Sequence, residues 1–204
     1  MKMQAPKALF VFSTSLLLAH SLVNAQERQE VTTQCEGFEW EVKARGSAFI
    51  PTSHLFREIY GTAAGNFDAE FAFTIRSYLQ VWANVDYTRA HGNSLGFCNP
   101  TSIQIINGSF GLKAPYDIKD WLAVYLGIGP TFGSIRIKDE SQFTGCSSCA
   151  QTSAGFVAKT GVDFFFAKRF FVDVFADYVY QKAQFQQHVD ASGLRIGAGL
   201  GVTF

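Results

Sequence analysis

Alternating apolar and polar side chains define a β-strand near the C-terminal end of the chain. Apolar residues occupy every second position from Leu194 to Phe204, and glycine, arginine or threonine stands between them. A period of two is that of a strand with one apolar face and one small or polar face. Because the apolar row ends on the bulky side chain of Phe204, the pattern favours a face that meets lipid.

The same alternation recurs along the chain and predicts seven further strands. With the C-terminal strand, the predicted set spans residues 38–50, 67–76, 79–87, 101–113, 121–137, 153–166, 170–182 and 194–204. The period slips near Ile105 and Ile106, where we expect a β-bulge in the fourth strand. A strand of about twelve residues, tilted by about 45°, climbs roughly 28 Å, which matches the thickness of a bilayer core.

Long and short connections alternate between the predicted strands. The short ones lie near residues 77–78, 115–120 and 167–169, and the long ones cover residues 51–66, 89–100, 139–152 and 183–192. Outer-membrane barrels combine short periplasmic turns with longer external loops. We therefore predict an all-β fold, an eight-stranded antiparallel transmembrane up-and-down β-barrel with short periplasmic turns and long external loops.

The first 25 residues have the features of a secretory signal peptide. Lys2 and Lys7 supply positive charge, an apolar run covers residues 8–18, and small residues at 23–25 offer a cleavage site. These are the three regions of an export signal. We expect residues 1–25 to be a signal peptide that directs export, residues 26–37 a short periplasmic leader, and residues 38–204 the barrel.

Charge and hydropathy argue against two classes of protein, those that bind nucleic acid and those that cross a membrane with helices. The chain carries 17 basic and 17 acidic residues, and removal of Lys2 and Lys7 with the signal peptide leaves a small excess of acids. We therefore expect no nucleic-acid partner, because nucleic-acid binding requires a basic field. Beyond residue 25 no uncharged apolar run is long enough for a spanning helix, so a membrane protein with this sequence must cross as a closed barrel.

In architecture the chain resembles the small outer-membrane β-barrels of Gram-negative envelopes, the group that includes OmpX, OmpW and the membrane domain of OmpA. The resemblance rests on the signal peptide, on eight amphipathic strands over residues 38–204, and on Leu200, Val202 and Phe204 at the end of the last strand. It implies a location in the outer membrane of a Gram-negative cell, among outer-membrane lipids. It also implies that Leu200, Val202 and Phe204 are a signal for the barrel-assembly machinery, although Gly197 replaces a residue that is usually polar.

The polar faces of the strands predict a charged barrel interior. Side chains just fill the interior of an eight-stranded barrel, and an unpaired buried charge costs several kcal/mol. We therefore expect salt bridges that plug the lumen, with a gate in which Arg45 or Arg195 changes carboxylate partners as the sharper alternative. The predicted network comprises Glu39, Glu41, Lys43, Arg45, Asp68, Glu70, Arg76, Asp86, Lys159, Asp163, Asp173, Asp177 and Arg195.

The four cysteines divide between the two ends of the predicted barrel. Cys98, Cys146 and Cys149 fall in external loops, whereas Cys35 precedes the first strand. The two rims are roughly 25–30 Å apart, but a disulfide needs Cα atoms within about 7 Å. Cys98 can thus pair with Cys146 or Cys149, or these two with each other. For Cys35 we expect an intermolecular disulfide to a neighbouring protein, with a pair of free or modified cysteines as the alternative.

Candidate residues for a metal site or for catalysis are weak. His54, His91 and His188 lie in or beside long loops, but such loops do not fix a metal geometry, and we expect no metal and no cofactor. Ser53 and His54 are adjacent in the first loop, but adjacency in sequence is not the geometry of a catalytic triad. We therefore expect that the protein is not an enzyme.

The expected function is that of an envelope component which presents four loops for surface contacts. A narrow channel for small or apolar solutes is the first alternative, and a lipid A-modifying barrel enzyme is the second.

Overall fold

The computed structural model describes residues 39–76, 78–93, 100–139, 148–184 and 188–204. Strands dominate these residues, and one short helix follows the first strand. The elements are β1 (Trp40–Pro51), α1 (His54–Tyr60), β2 (Ala64–Arg76), β3 (Leu79–Asn93), β4 (Pro100–Lys119), β5 (Leu122–Asp139), β6 (Ser148–Phe165), β7 (Phe170–Gln184), β8 (His188–Asp190) and β9 (Gly193–Thr203). Within the described residues no helix is long and apolar enough to cross a membrane.

Eight long strands close into a barrel. Strands β1 to β7 pair antiparallel in chain order, and β9 pairs with both β7 and β1, while the short β8 pairs only with β7. At the closing seam the amide of Phe204 donates to the carbonyl of Trp40 at 2.9 Å. A closed sheet leaves no unpaired edge, which is what a lipid environment demands of strands. The predicted eight-stranded antiparallel fold is confirmed.

The connections alternate in length as predicted. Residues 77–78, 120–121 and 166–169 form the short connections, whereas residues 52–63, 94–99, 140–147 and 185–192 separate the long strands at the other end. We call these two ends of the barrel the turn end and the loop end. The helix α1 lies in the first long connection, which the sequence pattern had marked only as a loop.

Strand β4 is longer than the alternation predicted. It continues through Pro115 to Lys119, so the turn expected at 115–120 is reduced to residues 120–121. Pairing of β4 with β3 ends at Lys113, and Pro115 pairs only with Tyr125 of β5. Proline lacks an N–H donor and is tolerated where a strand has a partner on one side only.

The expected bulge at Ile105 and Ile106 is wrong. Both residues pair in unbroken register with β3 and β5, and the register shifts of the described sheet lie near Arg76 and Lys119. Ile105 points inward and is 2% exposed, whereas Ile106 points outward and is 52% exposed. The apparent slip in the pattern arises because the lumen itself becomes apolar at this level.

The outward face of the sheet is apolar over most of its height. Large side chains such as Phe110, Leu126, Ile128 and Leu200 are more than half exposed there. Exposed apolar area of this extent fits lipid contact rather than contact with water. The inward positions, by contrast, hold the buried polar and charged residues of the chain.

Inward glycines on β9 make room for large side chains from neighbouring strands. A Cβ atom at Gly201 would lie 2.1 Å from Cζ of Phe171, and one at Gly199 would lie 2.6 Å from Cγ of Arg45. These glycines therefore let an aromatic ring and a guanidinium side chain cross the lumen beside β9.

Candidate functional site in the barrel lumen

A layer of charged side chains fills the middle of the barrel and its turn end. Alternate residues of each strand point inward, so charged residues on that face of seven strands converge in the lumen. All of them are buried. The cations are Lys43, Arg45, Lys113, Lys159 and Arg195, and the acids are Glu41, Asp68, Glu70, Asp86, Asp163, Asp173 and Asp177.

Glu70 lies at the centre of this charged layer. Lys113 Nζ is 3.1 Å from Glu70 Oε1, Arg45 Nη2 is 3.3 Å from Oε2, and Lys159 also binds Oε2. One carboxylate thus compensates three cations from three strands. Each of these groups is buried. Removal of Glu70 would therefore take a counter-charge from three cations at once, and should cost more than the loss of a single ion pair.

Lys43 forms a second centre nearer the turn end. Its Nζ is 2.7 Å from Asp163 and 3.0 Å from Glu41. A third carboxylate, that of Asp173, lies 3.8 Å away and accepts a hydrogen bond of 2.9 Å from the hydroxyl of Tyr125. The excess of acids over bases in the lumen is therefore partly met by neutral hydrogen-bond donors.

Arg195 forms a separate pair nearer the loop end. Its Nη2 and Nη1 lie 2.7 Å and 3.0 Å from the two carboxylate oxygens of Asp86, a bidentate arrangement. Asn107 donates to the same carboxylate at 3.0 Å, and Gln181 donates to Asn107 at 2.7 Å. This chain of contacts holds Asp86 of β3 in place from β4, β7 and β9.

Aromatic rings cover several of the cations. Lys159 Nζ lies 4.3 Å from the ring centre of the fully buried Trp82, and the Arg45 guanidinium lies 4.2 Å from that of Phe175. A cation over an aromatic face is stabilised by the ring quadrupole, and more so where water is excluded. The charged layer is therefore packed as well as paired.

An apolar cluster, the mouth cluster, lies above the charged layer at the loop end. It consists of Phe49, Phe56, Ala90, Ile103, Ile105, Ile135, Ala183 and Ala191. Seven of these belong to the strands or to the segment before β9, and Phe56 comes from α1. The lumen therefore contains two layers of different chemistry, one charged and one apolar.

Local sequence explains why α1 forms over the mouth. Ser53 caps the helix by accepting a hydrogen bond from the amide of Phe56, and Gly61 ends it with a φ of 89°. A Cβ atom at Gly92 of β3 would lie 1.7 Å from the carbonyl oxygen of Ile59. The helix thus packs directly on the backbone of β3, and this contact requires glycine at position 92.

The structure places eleven of the thirteen predicted network residues inside the lumen, but not Glu39 or Arg76. Glu39 precedes β1 and is exposed, so the prediction of an inward position is wrong. Arg76 is exposed because the β2 register shifts between Thr74 and Arg76, which breaks the alternation; its Nη1 donates to the hydroxyl of Tyr78 at 2.9 Å.

Lys113 is a network residue that the sequence pattern missed. It shares the inward parity of Asn107 and Ser109 on β4. Because a slip was expected at Ile105 and Ile106, the pattern did not determine which later residues of the strand point inward. Unbroken alternation through the strand would have placed Lys113 on the inward face.

The candidate catalytic pair has other roles in the structure. Ser53 is the cap of α1, and His54 lies at the exposed start of that helix, with Nδ1 3.4 Å from Glu58. Among the described residues no group of three histidine, cysteine or acidic side chains is arranged to hold a metal ion.

Most of the cysteine predictions lie outside the described residues. Cys35, Cys98 and Cys146 fall there, whereas Cys149 lies in β6 opposite Ile137. The pairing of the cysteines stays a prediction. The expected signal peptide at 1–25 and leader at 26–37 also lie outside the described part of the chain.

Comparisons with known proteins agree with this geometry. A family model described as "Outer membrane protein beta-barrel domain" matches residues 15–204. Among solved structures, OprG from Pseudomonas aeruginosa has a TM-score of 0.61 at 11% identity, with 81% of this chain and 95% of that chain covered. Neisserial surface protein A has a TM-score of 0.56 at 18% identity, with 82% and 96% covered.

A third similar structure is Ail of Yersinia pestis, solved in complex with the heparin analogue sucrose octasulfate. Its TM-score is 0.53 at 13% identity, with 83% of this chain and all of that chain covered. At such identities the structural likeness describes the fold alone. The search of curated proteins gave no match.

The position of Glu70 among three cations predicts a large loss of stability for Glu70→Gln. We expect the free energy of unfolding to fall by about 3 kcal/mol, because three buried cations lose a shared counter-charge. Urea titration of the refolded protein, followed by the fluorescence of tryptophan, measures this change. Glu58→Gln on the exposed face of α1 is the matched control and should change stability by less than about 0.5 kcal/mol. Equal effects of the two substitutions would contradict the central role of Glu70.

Proposed function

This chain belongs to the outer membrane protein β-barrel family, and from that premise we propose that it is a closed, non-enzymatic barrel of the outer membrane. Its turns face the periplasm and its long loops face outward, where they serve surface contacts. This orientation follows the general arrangement of outer-membrane barrels, in which the longer connections are external.

The two layers in the lumen carry the proposal of a closed barrel. A solute that entered from the loop end would first have to displace the mouth cluster, in which Phe56 is 4% exposed. It would then meet buried ion pairs centred on Glu70 and Lys43. Separation of such pairs without replacement contacts costs several kcal/mol for each uncompensated charge. Two successive barriers of different chemistry favour a closed lumen.

A narrow channel is the second candidate, and the surroundings of Arg45 favour it. The guanidinium of Arg45 lies within 4 Å of four carboxylates, at 2.7 Å from Asp68, 3.3 Å from Glu70, 3.4 Å from Asp177 and 3.7 Å from Asp173. It can therefore exchange partners without becoming unpaired. Among the described residues of the lumen, Arg195 forms a salt bridge with one carboxylate, that of Asp86. Because Arg45 has four carboxylates to choose from, it is the better gate residue.

The proposal that the barrel is not an enzyme rests on the contacts of Ser53 and His54 in the first long connection. The hydroxyl of Ser53 is engaged in capping α1, and His54 contacts Glu58 rather than Ser53. A serine nucleophile requires a base within hydrogen-bond reach. Turnover of radiolabelled lipid A that is lost in His54→Ala would overturn this part.

Partners of the proposed function are outer-membrane lipids around the apolar belt and the barrel-assembly machinery at β9. Leu200 and Phe204 are each 65% exposed on the outward face, and Val202 lies between them. Their side chains are therefore accessible to an assembly factor while the backbone closes the seam. Disulfide-linked neighbours through Cys35 remain part of the proposal.

Electrical recording from planar bilayers distinguishes the closed barrel from the channel. We expect no discrete openings from the wild type, from Phe56→Ala or from Leu55→Ala, because the charged layer remains in all three. The two variants are matched, since Phe56 is buried in the mouth and its neighbour Leu55 is 49% exposed. Reproducible openings in the wild type that become more frequent in Phe56→Ala alone would instead establish the gated channel.

Loss of the terminal aromatic side chain should impair assembly in cells without weakening the folded barrel. In Phe204→Ala the backbone hydrogen bonds to Trp40 remain, so we expect an unchanged urea midpoint for the refolded protein and a several-fold smaller heat-modifiable fraction in outer membranes. Phe166→Ala, which removes a similarly exposed ring (68%) at the turn end, is the control. An equal membrane fraction for both variants would refute the assembly role.

A further inference from the structure

Three basic residues point outward at the loop end of β3 and β5. Arg89 pairs with Gln104 of β4, which pairs in turn with Arg136 of β5, so the two arginines lie in one row across the sheet. Two interstrand spacings separate them by about 9.5 Å. Lys138 lies two residues beyond Arg136 on the same face, and all three residues are exposed.

None of the three cations forms an ion pair with another residue that the structure describes. None of the described outward positions around them carries an acidic side chain: they are Gly65, His91, Ser102, Gln104, Ser134, Ser148, Ala150 and Thr152. This arrangement differs from that of the lumen, where every cation contacts a carboxylate. The patch is thus positive, and no carboxylate among the residues that the structure describes compensates it.

A shallow apolar groove begins directly below Arg89. It has a volume of about 400 Å³ and is lined on the outward face by Phe67, Ala69, Val85, Tyr87 and Ile106. Tyr87 precedes Arg89 by two residues on β3 and pairs with Ile106, so groove and patch are continuous along one face. Ala69 forms the floor between larger side chains.

The level of the patch matches that of lipid headgroups. Tyr87 and Phe132 are outward aromatics near the loop end, where side chains of this type lie at the membrane interface. Arg89 and Arg136 lie beyond them, one outward position or more closer to the external solution. Cations at this depth meet headgroups, whereas the groove below meets acyl chains.

We propose that this face binds one lipid of the outer leaflet whose headgroup carries phosphate. Arg89, Arg136 and Lys138 contact the phosphate oxygens, and an acyl chain lies in the groove over Ala69. Arginine suits this role because its planar guanidinium binds phosphate through two parallel hydrogen bonds. The proposal rests on the outward orientation of the loops given above.

Native mass spectrometry of the full chain in detergent, titrated with diphosphorylated lipid A, tests the proposal. We expect affinity to fall roughly tenfold or more in the triple variant Arg89→Gln, Arg136→Gln, Lys138→Gln, because each surface cation contributes to anionic lipid binding. The matched control removes three exposed cations at the turn end, Lys119→Gln, Lys168→Gln and Arg169→Gln, and should bind as the wild type does.

Filling the groove tests the acyl-chain part separately. We expect Ala69→Phe to weaken lipid binding, and Val85→Trp fills the same groove if Ala69→Phe fails to fold. Ala114→Phe is the control, because Ala114 lines a comparable outward groove of about 310 Å³ with Leu79 and Leu126. Folding of every variant is checked by the difference in gel mobility between boiled and unboiled samples.

Three results would overturn the proposal. Equal losses in the two triple variants would indicate unspecific attraction, and undiminished binding in the groove variants would remove the acyl-chain contact. Binding of inorganic phosphate as tight as that of the lipid would assign the patch to a free anion. A wild type that conducts would refute the closed barrel but leave the lipid result standing, so the two failures are distinguishable.

Discussion

Compensation of buried charge is the constraint on which the barrel depends. Closure of the sheet satisfies the backbone, but it also forces alternate residues of every strand into one lumen. Acids and bases that would be solvated on a soluble sheet must therefore find each other inside. Glu70 compensates the charge of three cations, and Lys43 forms ion pairs with three carboxylates. Any change in these residues acts on the whole network, because its members come from strands on opposite sides of the barrel.

The division of the lumen into two layers follows from where each kind of side chain can be satisfied. Charged groups concentrate in the middle and at the turn end, where ion pairs and aromatic faces from facing strands surround them. At the loop end the mouth cluster is apolar, and α1 covers it with Phe56. Gly92 allows this cover because it has no Cβ atom and so admits the α1 backbone against β3. The proposed function depends on both layers, whereas the proposed lipid site uses the opposite, outward face of the same strands.

Period-two alternation predicted the fold because the two faces of each strand have different surroundings. Lipid selects apolar residues on the outward face, whereas the lumen holds mostly polar and charged ones. It worked best for β1 and β9, where one face is charged or small and the other is apolar. It failed at Ile105 and Ile106, because an apolar mouth and an apolar outer face give no contrast there. The misread parity hid Lys113. The helix α1 was missed because seven residues in a loop of mixed composition carry no long-range periodicity, and its position depends on tertiary contacts with β3.

The accessibility of adjacent residues on β4 tests the two-layer lumen most directly. In a chain whose four cysteines are replaced by serine, Ile105→Cys and Ile106→Cys are reacted in vesicles with a charged, water-soluble thiol reagent and with a lipid-soluble one. A closed apolar mouth predicts that Ile105→Cys reacts with neither reagent until the protein is unfolded, and that Ile106→Cys reacts only with the lipid-soluble one. Reaction of Ile105→Cys with the water-soluble reagent, at the rate seen for the exposed control Leu55→Cys, would contradict the account.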